Sequence, residues 1–340
     1  MKVKIIGAVC ASFAVILFGV ALGSVWVAPP DILRIILHNL VGAPLPEHIR
    51  RASVAIVWNL RLPRTLLAFT VGSALSVSGA VMQSVLRNPL ASSFTLGVSS
   101  GASLGAGIII LFSLSVPFFG MMTLPAMGFI FGLGTILLVI SFASRIDNRM
   151  ENNTIILTGM VFSLFVNAVT TLLSALSREN IQRLVFWQMG SFSMRDWHAV
   201  GILAPIAFVG VLFVIRYHRE LDIMTFGEEQ ARTMGVNLKR VKWILLVTAA
   251  ALTGSSIAFV GVIGFVDLVA PHIVRKLFGS SHRYVLPMSA LFGGTFMVVC
   301  DLVARTVVPP GELPVGAVTA IIGAPFFAYI YFAKRKRLAN

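Results

Sequence analysis

Ten apolar runs, most of them about as long as a bilayer is thick, leave few folds open to this chain. They lie at 5–27, 66–86, 94–114, 118–143, 154–176, 200–217, 241–263, 265–277, 284–308 and 313–332. A helix crosses a hydrocarbon core of ~30 Å in roughly 20 residues, whereas a transmembrane strand needs about 10 of alternating polarity. The runs are continuous rather than alternating, which predicts helices. Composition agrees: the chain is 57% hydrophobic and only 12% charged, against about 25% charged in a soluble domain. In lipid only helices and closed barrels satisfy every backbone group. The predicted fold is therefore all-α, a polytopic membrane protein of about ten transmembrane helices forming a single domain, 1–340.

The first run follows Lys2 and Lys4 and resembles a signal peptide, but it exceeds the ~7–15 residues of a signal h-region. It reads as an uncleaved span. The eighth run, 265–277, is short and contains Pro271, which is expected to interrupt it. Counting it makes the number of crossings even and puts both termini on one side. The formal charge of +14 raises nucleic acid as a partner. In a membrane chain, however, excess Lys and Arg mark cytoplasmic loops. With the termini inside, about two-thirds of the 27 basic residues lie in the cytoplasm, including the tail Lys334-Arg335-Lys336-Arg337. Nucleic acid is not needed to explain the charge, and the lipid bilayer is the expected surrounding.

Two polar segments are too long for simple turns. One, about 28–64, is external and holds Asp31, Glu47, Arg50, Arg51, Arg61 and Arg64. The other, about 216–242, is cytoplasmic and sets Leu221, Met224, Phe226, Ala231 and Met234 among charges before stopping at Gly235. That pattern suits either a solvated loop or short amphipathic helices with an apolar face open for docking.

Chemistry is sparse. The sequence has no G-x-x-x-x-G-K-[ST] phosphate loop, so this chain is not expected to hydrolyse ATP. It has no H-E-x-x-H or G-x-S-x-G, and neither a catalytic residue nor a metal ligand is assigned. Cys10 and Cys300 sit far apart in apolar runs, as small thiols rather than a redox or zinc pair. Gly101 and Gly105 form a G-x-x-x-G, and Gly72, Ser73, Ser76 and Gly79 line the second run. Such small residues let helices approach closely. Asp267, His272, Asp301 and Arg305 lie at membrane depth, where ionisable residues are costly. Asp301 and Arg305 are four apart and can neutralise one another. Asp267 has no obvious local partner, and His272 reads as a core histidine rather than a ligand. Asn88-Pro89 marks a sharp reversal between two spans.

Several fragments resemble the FecCD-type permease family, the membrane subunits of ABC importers for ferric siderophores, haem and cobalamin. They are Arg61-Leu62-Pro63-Arg64, Gly79-Ala80-Val81-Met82-Gln83, Asn88-Pro89-Leu90-Ala91 and Leu96-Gly97-Val98-Ser99-Ser100-Gly101. Later come Gly227-Glu228-Glu229, Gly264-Phe265-Val266, Pro271-His272-Ile273-Val274-Arg275, Glu312-Leu313-Pro314-Val315-Gly316 and Gly323-Ala324-Pro325-Phe326. The likeness runs in order over nearly the whole chain. Two positions depart from the family habit: Ser92-Ser93 stand where Asp/Glu-Pro is frequent, and Asp267 where glycine is frequent.

The resemblance implies the type II ABC importer permease fold with ten helices, a multi-pass protein of the bacterial inner or plasma membrane with both termini cytoplasmic. It implies a second permease subunit, identical or paralogous, two cytoplasmic ATPase subunits and an extracytoplasmic substrate-binding protein. No cofactor is bound by the chain itself; ATP and Mg are used by the partner ATPase. Leu221, Met224, Gly227, Glu228, Glu229, Ala231 and Gly235 then belong to the ATPase-coupling segment. Arg61, Arg64 and Arg305 dock glutamates of the binding protein. Gln83, Asn88, Ser99 and Asn167 are candidates to line the translocation path. The cargo is a metal chelate: an iron-siderophore, haem or cobalamin. The rival reading is a proton-coupled secondary transporter built on Asp267, which requires no ATPase.

Overall fold

The computed structural model describes residues 2–23, 25–177 and 180–339, with side chains as far as residue 329. The side chains of the basic tail, Lys334 to Arg337, lie outside the described residues. Among the described residues all regular structure is helical. In chain order come α1 (Lys2–Ala21), α2 (Pro29–Val41) and α3 (Arg51–Ala55), the last continuing through a π-helical turn (Ile56–Arg61) into α4 (Leu62–Val85). Then follow α5 (Val98–Leu111), α6 (Thr123–Ile146), α7 (Asn152–Leu176), α8 (Ile181–Gln188) and α9 (Trp197–Ile215). Two short helices, α10 (His218–Met224) and α11 (Glu228–Thr233), precede α12 (Leu238–Val260), α13 (Val266–Phe278), α14 (His282–Thr306) and α15 (Val315–Ala339).

A helix stands at each of the ten expected crossings. Seven are long and apolar enough to cross a membrane alone. The other three are α5, α15 with its apolar stretch Val315–Tyr329, and α13, which has only 13 residues. The helix in the 94–114 run starts late. Gly97 takes a left-handed φ of 85°, and residues before it fold as turns on Asn88, whose side-chain oxygen accepts the Leu90 N–H at 2.9 Å.

Proline shapes two places. Pro63 has no N–H for the Asn59 carbonyl, and the preceding turn widens to π geometry, with the Leu62 N–H reaching back to Val57. The loosened Trp58 carbonyl accepts the Trp197 indole N–H at 2.8 Å. Pro271 was expected to interrupt its run, and here the structure corrects the reading: α13 continues through it. The Asp267 carbonyl that Pro271 leaves free accepts the Gln83 amide at 3.1 Å, so the missing rung is replaced from a neighbouring helix.

The bundle is organised around α4, which is buried along nearly all its length. Apolar burial drives helix association weakly in lipid, so close backbone approach carries it instead. A Cβ at Gly72 would collide with the Gly293 carbonyl on α14, and one at Gly79 with the Asp267 backbone on α13. Gly101 and Gly105 seat α5 against Thr135 and Met127 of α6. Both small-residue stripes read from the sequence are contacts. Ser93 has a role too: its hydroxyl joins those of Ser78 and Thr253, each at 2.8 Å, in a buried cluster.

At one end, the 28–64 segment folds over the bundle rather than looping. Ile32 and Ile35 of α2 are fully buried, packing with Val20, Val57 and Leu62. At the other end lie the α1 start, α10 and α11. There Lys4 donates to the Leu277 carbonyl at the end of α13 at 3.3 Å.

Candidate functional site: a two-helix segment and an arginine clasp

The 216–242 segment forms α10 and α11 joined at Gly227, whose φ of 127° no side-chain-bearing residue adopts easily. Three of its apolar residues do not belong to an open face, which corrects the expectation for Leu221, Met224 and Ala231. All three are 2% exposed or less and belong to the chain's own core. Gly227 is buried with them. Within α10 the spacing of three puts Leu221 and Met224 on one face, turned to the bundle, and after the break at Gly227 the separate helix α11 turns Ala231 to the same side. The outer face keeps Phe226 (70% exposed) and Met234 (59%), with Glu229, Arg232 and Gly235 also exposed.

Glu228 and Glu229, adjacent in sequence, have different surroundings. Glu228 accepts a bond from Lys242 Nζ at 2.7 Å. That ammonium is fully buried and also donates to the Met150 carbonyl at 2.6 Å and Asn152 Oδ1 at 2.8 Å. Three acceptors match its three protons, which is what makes a buried lysine tolerable. Glu229 points outward into a polar cavity of about 470 Å³ shared with Arg87, Arg149, Glu151 and Arg232. Beside it Asp147 accepts N–H bonds from Glu151 and Arg149 at 2.6 and 2.8 Å, and these hold its carboxyl below the usual range.

Lys242 was missed in the sequence because Lys239, Arg240 and Lys242 look like one basic flank. Helical spacing held the signal: 242 falls on the face of Leu238, Leu245, Leu246 and Ala249, all buried.

Arg61, Arg64 and Arg305 converge at the opposite end around a cavity of about 500 Å³, but their guanidinium groups are already engaged. Arg61 is 6% exposed and donates to the carbonyls of Val20, Ala21 and Val25 at 2.7–3.2 Å. Arg305 donates to the Gly19 carbonyl and lies 3.7 Å from Asp301. Arg64 bridges Asp301 at 2.8 Å and Glu312 at 2.7 Å. Glu312 is partly buried, which opposes ionisation, but its bond from Arg64 prevails and lowers its pKa. The pairing of Asp301 with Arg305 read from the sequence is present, with Arg64 the nearer partner.

The four path candidates are not together. Gln83 and Ser99 are 6% and 7% exposed, and the Gln83 amide is used on Arg275 and the Asp267 carbonyl. A buried side chain with both ends bonded cannot face an aqueous path in this conformation, and the expectation is corrected for Gln83; Ser99 is buried on α5. Asn88 sits at the turn after α4, half-buried, whereas Asn167 is exposed on α7. That helix shows a broad open face that includes Val161, Leu164, Phe165 and Leu172, each at least 61% exposed. Asp267 is 3% exposed, and its Oδ2 has no hydrogen-bond partner among the described residues.

Comparison with known proteins places this architecture. The family model described as the FecCD transport family matches residues 11–333. An ABC transporter permease of Bacillus subtilis is 40% identical, over 94% of this chain and 91% of its own length. A cobalamin import permease of Halobacterium salinarum is 38% identical over 85% and 76%, and an Fe(3+)-citrate import permease of Bacillus subtilis 33% over 99% and 96%. Among solved structures, an inward-facing conformation of a metal-chelate type ABC transporter superposes with a TM-score of 0.84 at 28% identity, covering 98% of this chain and all of that one. A helix at every expected crossing, glycine contacts where small residues were spaced, and a match across nearly the full length lead to one conclusion: the chain belongs to the FecCD transport family.

Proposed function

We propose that this chain is the permease subunit of an ATP-driven importer for a metal chelate. It works beside a second permease copy or paralogue, two cytoplasmic ATPase subunits that use ATP and Mg, and an external binding protein. It lies in the plasma membrane with both termini in the cytoplasm. The observation that carries this reading is the α10–α11 segment. Leu221, Met224 and Ala231 are spent inward, yet Phe226 and Met234 remain exposed, and Glu229 and Arg232 line a charged cavity. A face of exposed apolar anchors with mixed charge suits a protein partner better than bulk water.

In this reading the ATPase subunits seat on the outer face of α10–α11, with Glu229 as a contact and Glu228 as an internal support. ATP binding draws the ATPase subunits together and moves this face; the permeases rock about a path between them, and hydrolysis resets the cycle. The open face of α7 with Asn167 supports a place beside the second permease or the path. The relatives' cobalamin and ferric citrate are both metal chelates, which supports that cargo class, an iron chelate first.

The external arginines take unequal parts. Arg61 and Arg305, buried on backbone carbonyls, hold the ends of α1, α4 and α14 together. Arg64 has the more exposed side chain, at 13% against 8% for Arg305. It can exchange Glu312 for a carboxylate of the binding protein, and such rim charges mainly steer docking.

The coupling reading is tested by Glu229→Arg. The ATPase subunits are expected to stop co-purifying with the permease, and ATP hydrolysis by the complex to fall at least about tenfold, the scale of a lost interfacial charge contact. Normal co-purification and hydrolysis would refute it.

A further inference from the structure

The two halves of the α10–α11 segment are tied to different parts of the bundle. On α10, Asp222 Oδ1 accepts the backbone N–H of His282 at 2.8 Å and faces His282 Nδ1 at 2.6 Å, while Oδ2 accepts from Ser281 at 3.1 Å. Asp222 therefore caps the start of α14 from another helix. The buried His282 ring continues inward: its Nε2 lies 2.6 Å from the Ser84 hydroxyl on α4. Ser84 also receives Arg275 of α13 at 3.1 Å. Arg275 donates in turn to Gln83 Oε1, and the Gln83 amide closes on the Asp267 carbonyl.

A carboxylate only accepts, so Nδ1 of His282 carries a proton toward Asp222. The Ser84 hydroxyl can turn to Nε2 or to the Ala80 carbonyl 2.8 Å away, and the chain of bonds closes with the ring neutral or charged. The result is a continuous polar link from α10 to the first turn of α13. Other bonds also join these helices, from Ser73 of α4 to the Ala290 carbonyl of α14 at 2.8 Å and from Ser76 to the Val266 carbonyl of α13 at 3.4 Å, but neither of these reaches α10.

The α11 half has no share in this link. Its Glu228 is held by Lys242, which also binds the Met150 carbonyl and Asn152, so α11 is fixed to α12 and the start of α7. Between the halves stands Gly227, the left-handed joint.

We infer that α10 and α11 are two levers with separate anchors: α10 carries displacement through Asp222, His282, Ser84, Arg275 and Gln83 to the first turn of α13, and α11 carries it through Glu228 and Lys242 to α12 and the start of α7. This rests on the reading that the ATPase subunits push on the segment. These side chains are positioning residues, acting through one another. One push on the segment thereby moves two helix groups, and Gly227 lets them move by different amounts.

The test uses the full-length permease in lipid nanodiscs, compared by hydrogen exchange with two nearly isosteric variants. Asp222→Asn is expected to speed exchange about fivefold or more over 266–271 and 80–86, and to leave 147–156 unchanged, because opening free energies are local to coupled units. Glu228→Gln is expected to do the reverse. A rise under Asp222→Asn confined to 218–224 and 281–285 would overturn the inference. So would both variants loosening the same segments, the mark of general destabilisation. A cycle of Asp222→Asn with Ser84→Ala adds a second readout. If the two act on 266–271 through one link, the double variant exchanges no faster there than the more severe single; multiplied effects contradict the link. The underlying docking reading fails separately: if Glu229→Arg keeps its ATPase subunits, the levers lose their input whatever the exchange pattern.

Discussion

Lys242 carries the heaviest obligation of any single side chain. Removing its ammonium, as in Lys242→Met, leaves the Met150 carbonyl, Asn152 and Glu228 short of a donor at a buried site. The expected cost is about 2–4 kcal/mol, read as a lower midpoint of unfolding in detergent. An unchanged midpoint would mean that the buried ion adds nothing. Glu312 makes a pH-dependent statement at the opposite end. Its carboxyl is held below the ordinary value by Arg64, so its contribution is present above the unfolded carboxylate pKa of about 4.3 and is lost as pH falls through the lowered folded value. Wild-type stability should therefore drop below about pH 4 more steeply than that of Glu312→Gln. Parallel curves from thermal unfolding at several pH values would contradict the assignment. Charged residues were the least legible part of the sequence. Arg61, Arg64 and Arg305 are named by motif, but a motif does not say whether a guanidinium faces a partner or the carbonyls of its own chain. Glu228 and Glu229 differ by one position on a helix, and only packing separates the internal support from the outward group.

Helices were far more legible, because apolar length and small-residue spacing are local signals. The glycine contacts of α4 with α14 and of α5 with α6 appear where the stripes stood in the sequence. Gly293→Val would drive side-chain atoms into Ser76 and the Gly72 carbonyl. The expected cost exceeds about 3 kcal/mol, the upper range for overpacking, because backbone blocks the way. The readout is loss of the monodisperse folded species in size-exclusion chromatography, and a normal profile would show that α14 can shift. What escaped the sequence is compensation between elements. Pro271 announced a break, and local rules do not reveal that Gln83, far away in sequence, supplies the missing bond. The two effects should be coupled. Gln83→Ala also removes the bond from Arg275 and should cost about 2–3 kcal/mol, and less in a Pro271→Ala background, where the restored N–H can reach the Asp267 carbonyl. Equal costs in both backgrounds, from denaturant titration, would show that the amide is not filling that gap. The docking segment escaped in a similar way: amphipathic periodicity located α10 and α11, but it could not show that their apolar side is consumed by the bundle.

At the scale of the whole molecule, the two ends of the bundle differ. One end holds a closed clasp of arginines and carboxylates under the folded 28–64 segment. The other presents a short two-helix surface anchored to two helix groups. Between them α4 packs against α13 and α14 at glycine-close distance. This division suits a subunit that moves cargo by rocking and leaves ATP hydrolysis to a partner. A proton-coupled carrier would instead draw its energy through Asp267, and the two mechanisms differ in what must be supplied. The most direct measurement is uptake into proteoliposomes holding the permease with its ATPase subunits and binding protein, probed with ferric citrate and with cyanocobalamin. Uptake of a chelate is expected only with ATP on the ATPase side, undiminished when the proton gradient is collapsed. Uptake by the permease without ATPase subunits, driven by an imposed proton gradient, would contradict it.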